Sequence, residues 1–551
     1  MNTVEEKIYS NDCTGNEFTL NDLKKTALSP ESPAIDLSKP DMILALVMPL
    51  CGFLYWNMHI HFMPGLGTTI FTLVICTVSL VYMSKSGFRQ NAKSLTCLAL
   101  IAFSAVQFAI FDNMFLLNWN RLFLTGMFIY WICLSTGRSL DEKLSHYILG
   151  DGVKQVLSVP FRNFGCCFCG ILKNFSDRRN SKGIFAALAG IAVSLPLLVL
   201  VINLLVSADL AFENFMRRLF ELNIISFIHI WQFAIGIPVA FYLYGLIYGN
   251  VSGRHGDKVT KDSVDKAAGV FKIAPKLAIY SALTAFNLVY LVFFTVQAGY
   301  LFSAFAGNLP EGFTYAEYAR RGFFELCRVA GINLGVLAAA HLLIKRGTGE
   351  EPKSLKGQTL AISLFTILLI VTALSKMVMY MNVYGLTQLR IYTSWFMLVL
   401  FFTFILVCVR QFAKINLVKA VIITFVLMFT ALSYSNVDGH IARHNIARFE
   451  SGAADTLDVW TLRKLGSAAR PFIYDLYKST DDEALRVELG VSHSYVWDWD
   501  GEREEVVVVE AFPLTEAHIF INSDFRRFNF QRHRADTMLL EIIRACSHSP
   551  K

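Results

Sequence analysis

The chain is 551 residues long, 54% hydrophobic and only 17% charged, with a formal net charge of +7, whereas a soluble domain carries roughly a quarter charged residues. That much apolar surface must face lipid, which excludes an ordinary soluble protein and predicts an all-α transmembrane bundle with a smaller soluble α+β unit at the C-terminus. The basic residues are spread over short loops, as topology signals are, so nucleic acid is excluded as a partner. The bilayer and another envelope protein are the partners to expect.

Residues 1–40 form a polar tail with no basic n-region or apolar stretch, so the first apolar helix is expected to act as an uncleaved signal anchor. Residues 41–435 form the polytopic domain, in which about eleven runs approach the roughly 20 apolar residues that cross a bilayer. They are Met42–Ile60, Thr68–Met83, Leu95–Phe111, Met114–Leu134, Ile184–Val206, Ile224–Tyr248, Leu277–Phe305, Phe323–Ile344, Leu360–Met381, Ile391–Val409 and Leu417–Tyr434. Asn118, Asn120 and Arg121 make the fourth the weakest. Alternate loops are rich in Lys and Arg, which puts the N-terminus in the cytoplasm and, with an odd helix count, the C-terminal unit outside.

The loop 135–183 holds two apolar stretches with basic flanks, read as cytoplasmic interfacial helices. Its Cys166, Cys167 and Cys169 have no partners at the paired spacing that zinc requires, so no metal and no cofactor is expected. The remaining cysteines lie mostly in apolar runs, where Cys behaves as a small hydrophobe. Residues 436–551 read as helices, then short strands near Val506–Glu510 and His518–Ile521, then a helical tail from Arg532 to Cys546.

Three polar motifs stand out, and the orientation above places all three on one membrane face. The first is Tyr315-Ala-Glu-Tyr-Ala-Arg-Arg-Gly-Phe-Phe-Glu-Leu326, with Glu317, Arg320, Arg321 and Glu325 at helical spacing and Arg328 following. The second, Asn382 to Arg390, offers Asn382, Tyr384 and Arg390. The third, Asn436 to Asn445, offers Asn436, Asp438 and Arg443. Ionisable residues at a membrane boundary need partners and are functional candidates. The plainer alternative is an ion-pair network that docks the C-terminal unit on the bundle. Within the spans His229, Gln232, Asn287, Gln297 and Asn333 could line a polar pathway, although isolated amides more often bond across helices.

These same strings, with Y-G-L-T-Q-L-R-I-Y-T in the second motif and N-V-D-G-H-I-A-R-H-N in the third, resemble the domain-of-unknown-function families 4153 and 4173 over Leu277 to Ser451. The resemblance implies a multi-pass bacterial cytoplasmic (inner) membrane protein and brings no activity with it. No phosphate-binding loop, G-x-S-x-G elbow or H-E-x-x-H helix is present. Three classes follow: a non-enzymatic envelope scaffold or sensor, which is preferred; a transporter or channel for a small solute or lipid; and a membrane enzyme using Glu325 or Asp438 on a lipid-linked substrate.

Overall fold

The computed structural model describes residues 37–60, 63–141, 144, 145, 147–175, 224–254, 260–305, 315–344, 353–489, 494–497, 503–506, 517–520 and 525–547, with isolated positions between 190 and 212. The long helices are α1 (Lys39–Leu54, continuing as a π-helix over Tyr55–Ile60), α2 (Leu66–Lys85), α3 (Ala92–Ile110) and α4 (Met114–Ser135). Short helices α5 (Ile148–Val153), α6 (Val159–Arg162) and α7 (Phe164–Phe175) follow, then α8 (Ile224–Ser252) and α9 (Lys261–Phe271). The second half contains α10 (Lys276–Phe305), α11 (Tyr315–Leu343), α12 (Lys353–Tyr384), α13 (Gln388–Phe412) and α14 (Leu417–Tyr434).

Short turns demand sharp helix starts, and Asn or Thr caps supply them. Asn91, Asn113, Thr387 and Asn416 each accept a bond from the backbone N–H three residues on. Ten helices among the described residues are long and apolar enough to cross a membrane, so the chain is a multi-pass membrane protein. Nine of the eleven expected runs are among them. Met114–Leu134 does fold as α4, but Asn118, Asn120 and Arg121 leave it outside the ten, and most of Ile184–Val206 lies outside the described residues.

The apolar stretch Ile148–Asn174, expected as part of an interfacial loop, is long and apolar enough to be among the ten. Its contacts nevertheless cluster at one end of the bundle. Asn250 donates to Gln155 at 2.6 Å, Gln155 to the Cys133 sulfur at 3.3 Å, Asn163 to the Arg254 carbonyl at 3.3 Å, and Asn174 to the Met42 carbonyl at 2.9 Å. These partners are the last residues of α4 and α8 and the first of α1. The segment therefore lies across that end, with its own Cys166 and Cys167 buried against the bundle. This is the basic end of the bundle, where Lys85, Arg138, Arg254, Lys276, Lys353 and Arg410 fall; the opposite end, covered by the helices that follow α14, is here the capped end.

Two cores divide the membrane part. The first joins α1, α2, α3, α4, α7 and α8 around Met48, Met83, Phe108, Leu117, Trp131 and Tyr244. Here α1 and α8 approach backbone to backbone, because a Cβ on Gly52 would strike the Gly236 carbonyl and one on Gly236 would lie 2.6 Å from Gly52. The second core joins α10 to α13 around Leu283, Phe323, Ile362, Ile370 and Phe404.

After α14 come α15 (Val437–Glu450), α16 (Val459–Lys464), α17 (Arg470–Ser479), α18 (Glu483–Leu489) and α19 (Phe530–Ser547). Three four-residue strands, β1 (Ser494–Trp497), β2 (Arg503–Val506) and β3 (Ala517–Phe520), pair in the order β2-β1-β3. The expected α+β domain is not supported, since helices dominate this region too. Ile441, Ile446, Leu462, Ile473 and Leu485 share one apolar cluster with Leu116 of α4 and Leu432 of α14, so these helices rest on the membrane bundle itself.

Candidate functional site

The turn Phe111–Asn113 between α3 and α4 is the hub of the capped end. Asn113 caps α4 by accepting from Leu116 N–H at 2.9 Å, which frees its amide to donate to Asp438 at 2.7 Å and to the Tyr392 hydroxyl at 2.7 Å. Gln388 donates to the other Asp438 oxygen at 2.7 Å. The carboxyl of Asp438, 4% exposed, thus sits among neutral amides with Asp112 nearby. Burial pushes it up to about 6, against the pull of the two amide bonds.

Asp112 receives a two-pronged grip from Arg532, through Nη2 and, at 3.3 Å, through Nε, and a bond from Ser467 Oγ at 2.6 Å. Its backbone N–H donates to Gln531 Oε1 at 2.9 Å, and Gln531 in turn donates to Asn436 Oδ1 at 2.8 Å. Asn436 has φ +46°, the left-handed conformation that Asn tolerates better than most residues, and there the chain reverses from α14 into α15. One turn further along α19, Asp536 pairs with Arg470 at 2.7 Å. Burial outweighs its two neighbouring guanidinium groups and raises its carboxyl to about 6.

The start of α19 and the turn before it are stitched across the same end. Asn529 donates to the Phe108 carbonyl at 3.2 Å and to that of Phe111, and Leu66 N–H donates to the Phe528 carbonyl at 2.8 Å. Arg526 donates to Asn57 at 2.6 Å; Asn57 donates to Gln232 at 2.8 Å, and His229 Nδ1 lies 3.3 Å from the same oxygen. On the other side α15 clamps the turn between α12 and α13. Asn445 holds both the N–H and the C=O of Leu386 at 2.8 Å, and Arg448 reaches the Met381 and Val383 carbonyls.

Of the expected network, Asn436 and Asp438 sit in this assembly, and Arg390 lies beside it. Arg390 bonds the Tyr384 and Gly385 carbonyls at 3.0 and 2.6 Å and covers the Tyr380 ring at 4.2 Å. Asn382, Tyr384 and Arg443 are exposed. Glu325 pairs with Arg328 on its own helix at 3.3 Å, both largely exposed, apart from Asp438. The side chains of Glu317, Arg320 and Arg321 lie outside the described residues, as does that of Gln297.

The other pathway candidates separate into the two cores. His229 and Gln232 join the first, through Asn57. In the second, Asn287 bonds Gln358, while Asn333 accepts from Tyr290 and donates to Thr366 at 2.8 Å. Sequence reasoning missed Asp112, Asn113, Ser467, Arg470, Asn529, Arg532 and Asp536. The one local signal was the Asp-Asn pair in a two-helix turn. Among the described residues no group of three or more His, Cys, Asp or Glu could hold a metal ion.

A family model described as a domain of unknown function (DUF4153) matches residues 95–476, which run from α3 into α17 and include the hub turn and the clamp. The chain belongs to this family. No curated protein and no solved structure matches the chain.

Proposed function

We propose that this DUF4153 protein is a non-enzymatic membrane scaffold or sensor whose C-terminal helices are latched onto the capped end of the bundle and present the region around β1–β3 to a protein partner. The observation that carries the reading is the return of α19 to the bundle: Arg532 on Asp112, Asn529 on the α3 end and Arg526 on Asn57 join residues more than four hundred positions apart. The carboxylates there, Asp112, Asp438 and Asp536, each accept from side chains of other elements, as a docking joint requires. The division of the pathway residues between two cores weighs against a continuous solute route. The finer reading, a bacterial cytoplasmic membrane with the capped end outside, rests on the basic residues gathered at the opposite end.

Thiol labelling tests the latch. Ala469, fully buried beneath the hub, is replaced by Cys in a background without exposed native thiols. The reagent is expected to spare Ala469→Cys in the otherwise native chain and to modify it once Arg532→Ala is added. Equal protection in both would end the latch reading. An impermeant reagent against Ser451→Cys in intact cells tests the orientation separately, with labelling expected.

A further inference from the structure

One face of α10 is bare: Leu288, Val289, Leu291, Val292 and Val296 are each more than half exposed. Between this helix and the first half of α12 runs an open groove of about 440 Å³. Its wall changes character along both helices in the same direction. Toward the basic end it is polar, where Gln358 donates to Thr284 at 2.8 Å and Asn287 donates to Gln358 at 2.5 Å. The Asn287 Oδ1 is left buried without a hydrogen-bond partner. Deeper in the bundle the lining is Leu288, Leu291, Ala361 and Phe365.

The wall is also recessed. Gly357 lines the groove, and a Cβ there would meet nothing within 4 Å. No lining residue is acidic, while Lys353 and Lys356 bracket the lining residues Ser354 and Gly357 where α12 begins. A polar mouth flanked by lysines and an apolar floor match an amphiphile with an anionic head, and an orphaned acceptor at the boundary calls for a hydroxyl donor.

We propose that this groove is a binding site for an anionic phospholipid whose head carries hydroxyl groups. The acyl chain lies along Leu288, Leu291 and Phe365, a head-group hydroxyl donates to Asn287, and the phosphate is drawn by Lys353 and Lys356. Phosphatidylglycerol is the probe, with phosphatidylcholine as the zwitterionic control.

The test is native mass spectrometry of the full-length protein in mild detergent, titrated with each lipid. The unsubstituted protein is expected to retain phosphatidylglycerol over phosphatidylcholine, with about fivefold of that preference lost for each of Lys353→Ala and Lys356→Ala. Gly357→Phe, which fills the recess, should abolish the adduct. Asn287→Leu keeps the volume but removes the acceptor and should weaken retention, which serves if Gly357→Phe folds poorly. Undiminished phosphatidylglycerol binding in both groove variants would overturn the site. A shift from dimer to monomer in Gly357→Phe with lipid binding unchanged would overturn it too, assigning the face to a second copy of the chain.

Discussion

Two charged regions of this molecule contain the same residue types and use them differently. At the start of α11, Glu325 and Arg328 form a pair one helical turn apart with most of each side chain exposed. In the hub turn, Asp112 meets Arg532 with both side chains less than one-sixth exposed and 420 positions apart in the chain. The first pair joins residues three apart on one helix and is exposed on the chain's own surface, with Lys376 of α12 as a further electrostatic neighbour of Glu325, so neither charge is left alone if the other is removed. The second pair is desolvated and spans two elements, so each charge depends on the other. Charge density along a sequence therefore says little about where charge is structural; burial and separation decide.

The contrast is sharpest if Arg532 is truncated. Arg532→Ala leaves Asp112 buried with only Ser467 as a side-chain donor, and an uncompensated charge of that kind costs about 3–5 kcal/mol. A large fall in melting temperature in detergent is expected. A fall no larger than that for an exposed substitution would show that the two regions do not differ in kind.

The next effect concerns pH and comes from Asp438. Its carboxyl titrates near 6 in the folded chain, against an ordinary value of 3.8. A carboxyl whose folded value is raised binds its proton more tightly when folded, so its contribution is fully present below about pH 4 and is lost as pH rises through about 6. From this group, acidification from about pH 7 to about pH 5 tightens docking by about 1.3 kcal/mol, since roughly one pH unit of that window lies below the folded value. Asp438→Asn should flatten that window, at some cost in stability at low pH because Asn offers one acceptor fewer to Asn113 and Gln388. Melting temperatures of the two proteins across that range give a difference curve. A curve without slope would remove Asp438 as the source of pH sensitivity.

The two halves of this comparison were unequally legible in the sequence. Apolar length revealed nearly all the long helices, because a bilayer imposes a length and a composition that neighbouring helices do not alter. The second and third motifs were legible for the same reason: turns between spans are short, and Leu386, Asn436 and Asp438 had to be close to the helix ends. The partners of those turns were not. Arg532–Cys546 reads as an ordinary helical tail, and nothing local marks Arg532 as the counter-ion of an aspartate in the turn between α3 and α4. Nor does a span's composition report its tilt, so Ile148–Asn174 qualifies as a crossing helix by length while its contacts lay it across one end.

Arg390 falls between the extremes. It bonds two carbonyls of the turn between α12 and α13 and lies over Tyr380, yet it pairs with no carboxylate among the described residues and remains partly exposed. Arg390→Ala should cost about 1–2 kcal/mol, from two charge-assisted bonds and one cation–π contact in a half-wet setting. Lys in its place can keep one carbonyl bond but not the planar stacking, so Arg390→Lys should recover only part of the loss. Identical melting temperatures for the native protein and Arg390→Ala would remove it from the clamp.

Arg328→Ala closes the series from the opposite end. The pair with Glu325 lies at 3.3 Å on a helix surface, three residues apart, where such pairs contribute a few tenths of a kcal/mol. No resolvable change in melting temperature is expected at moderate salt, and none on raising the salt further, since screening has little left to remove. A drop approaching that of Arg532→Ala would mean that Arg328 bears on the assembly through a surface covered in the membrane, so burial within the single chain would no longer separate the two regions. The outcome expected, a silent Arg328 beside a decisive Arg532, confines the docking joint to the capped end and to the residues that α15 and α19 bring to it.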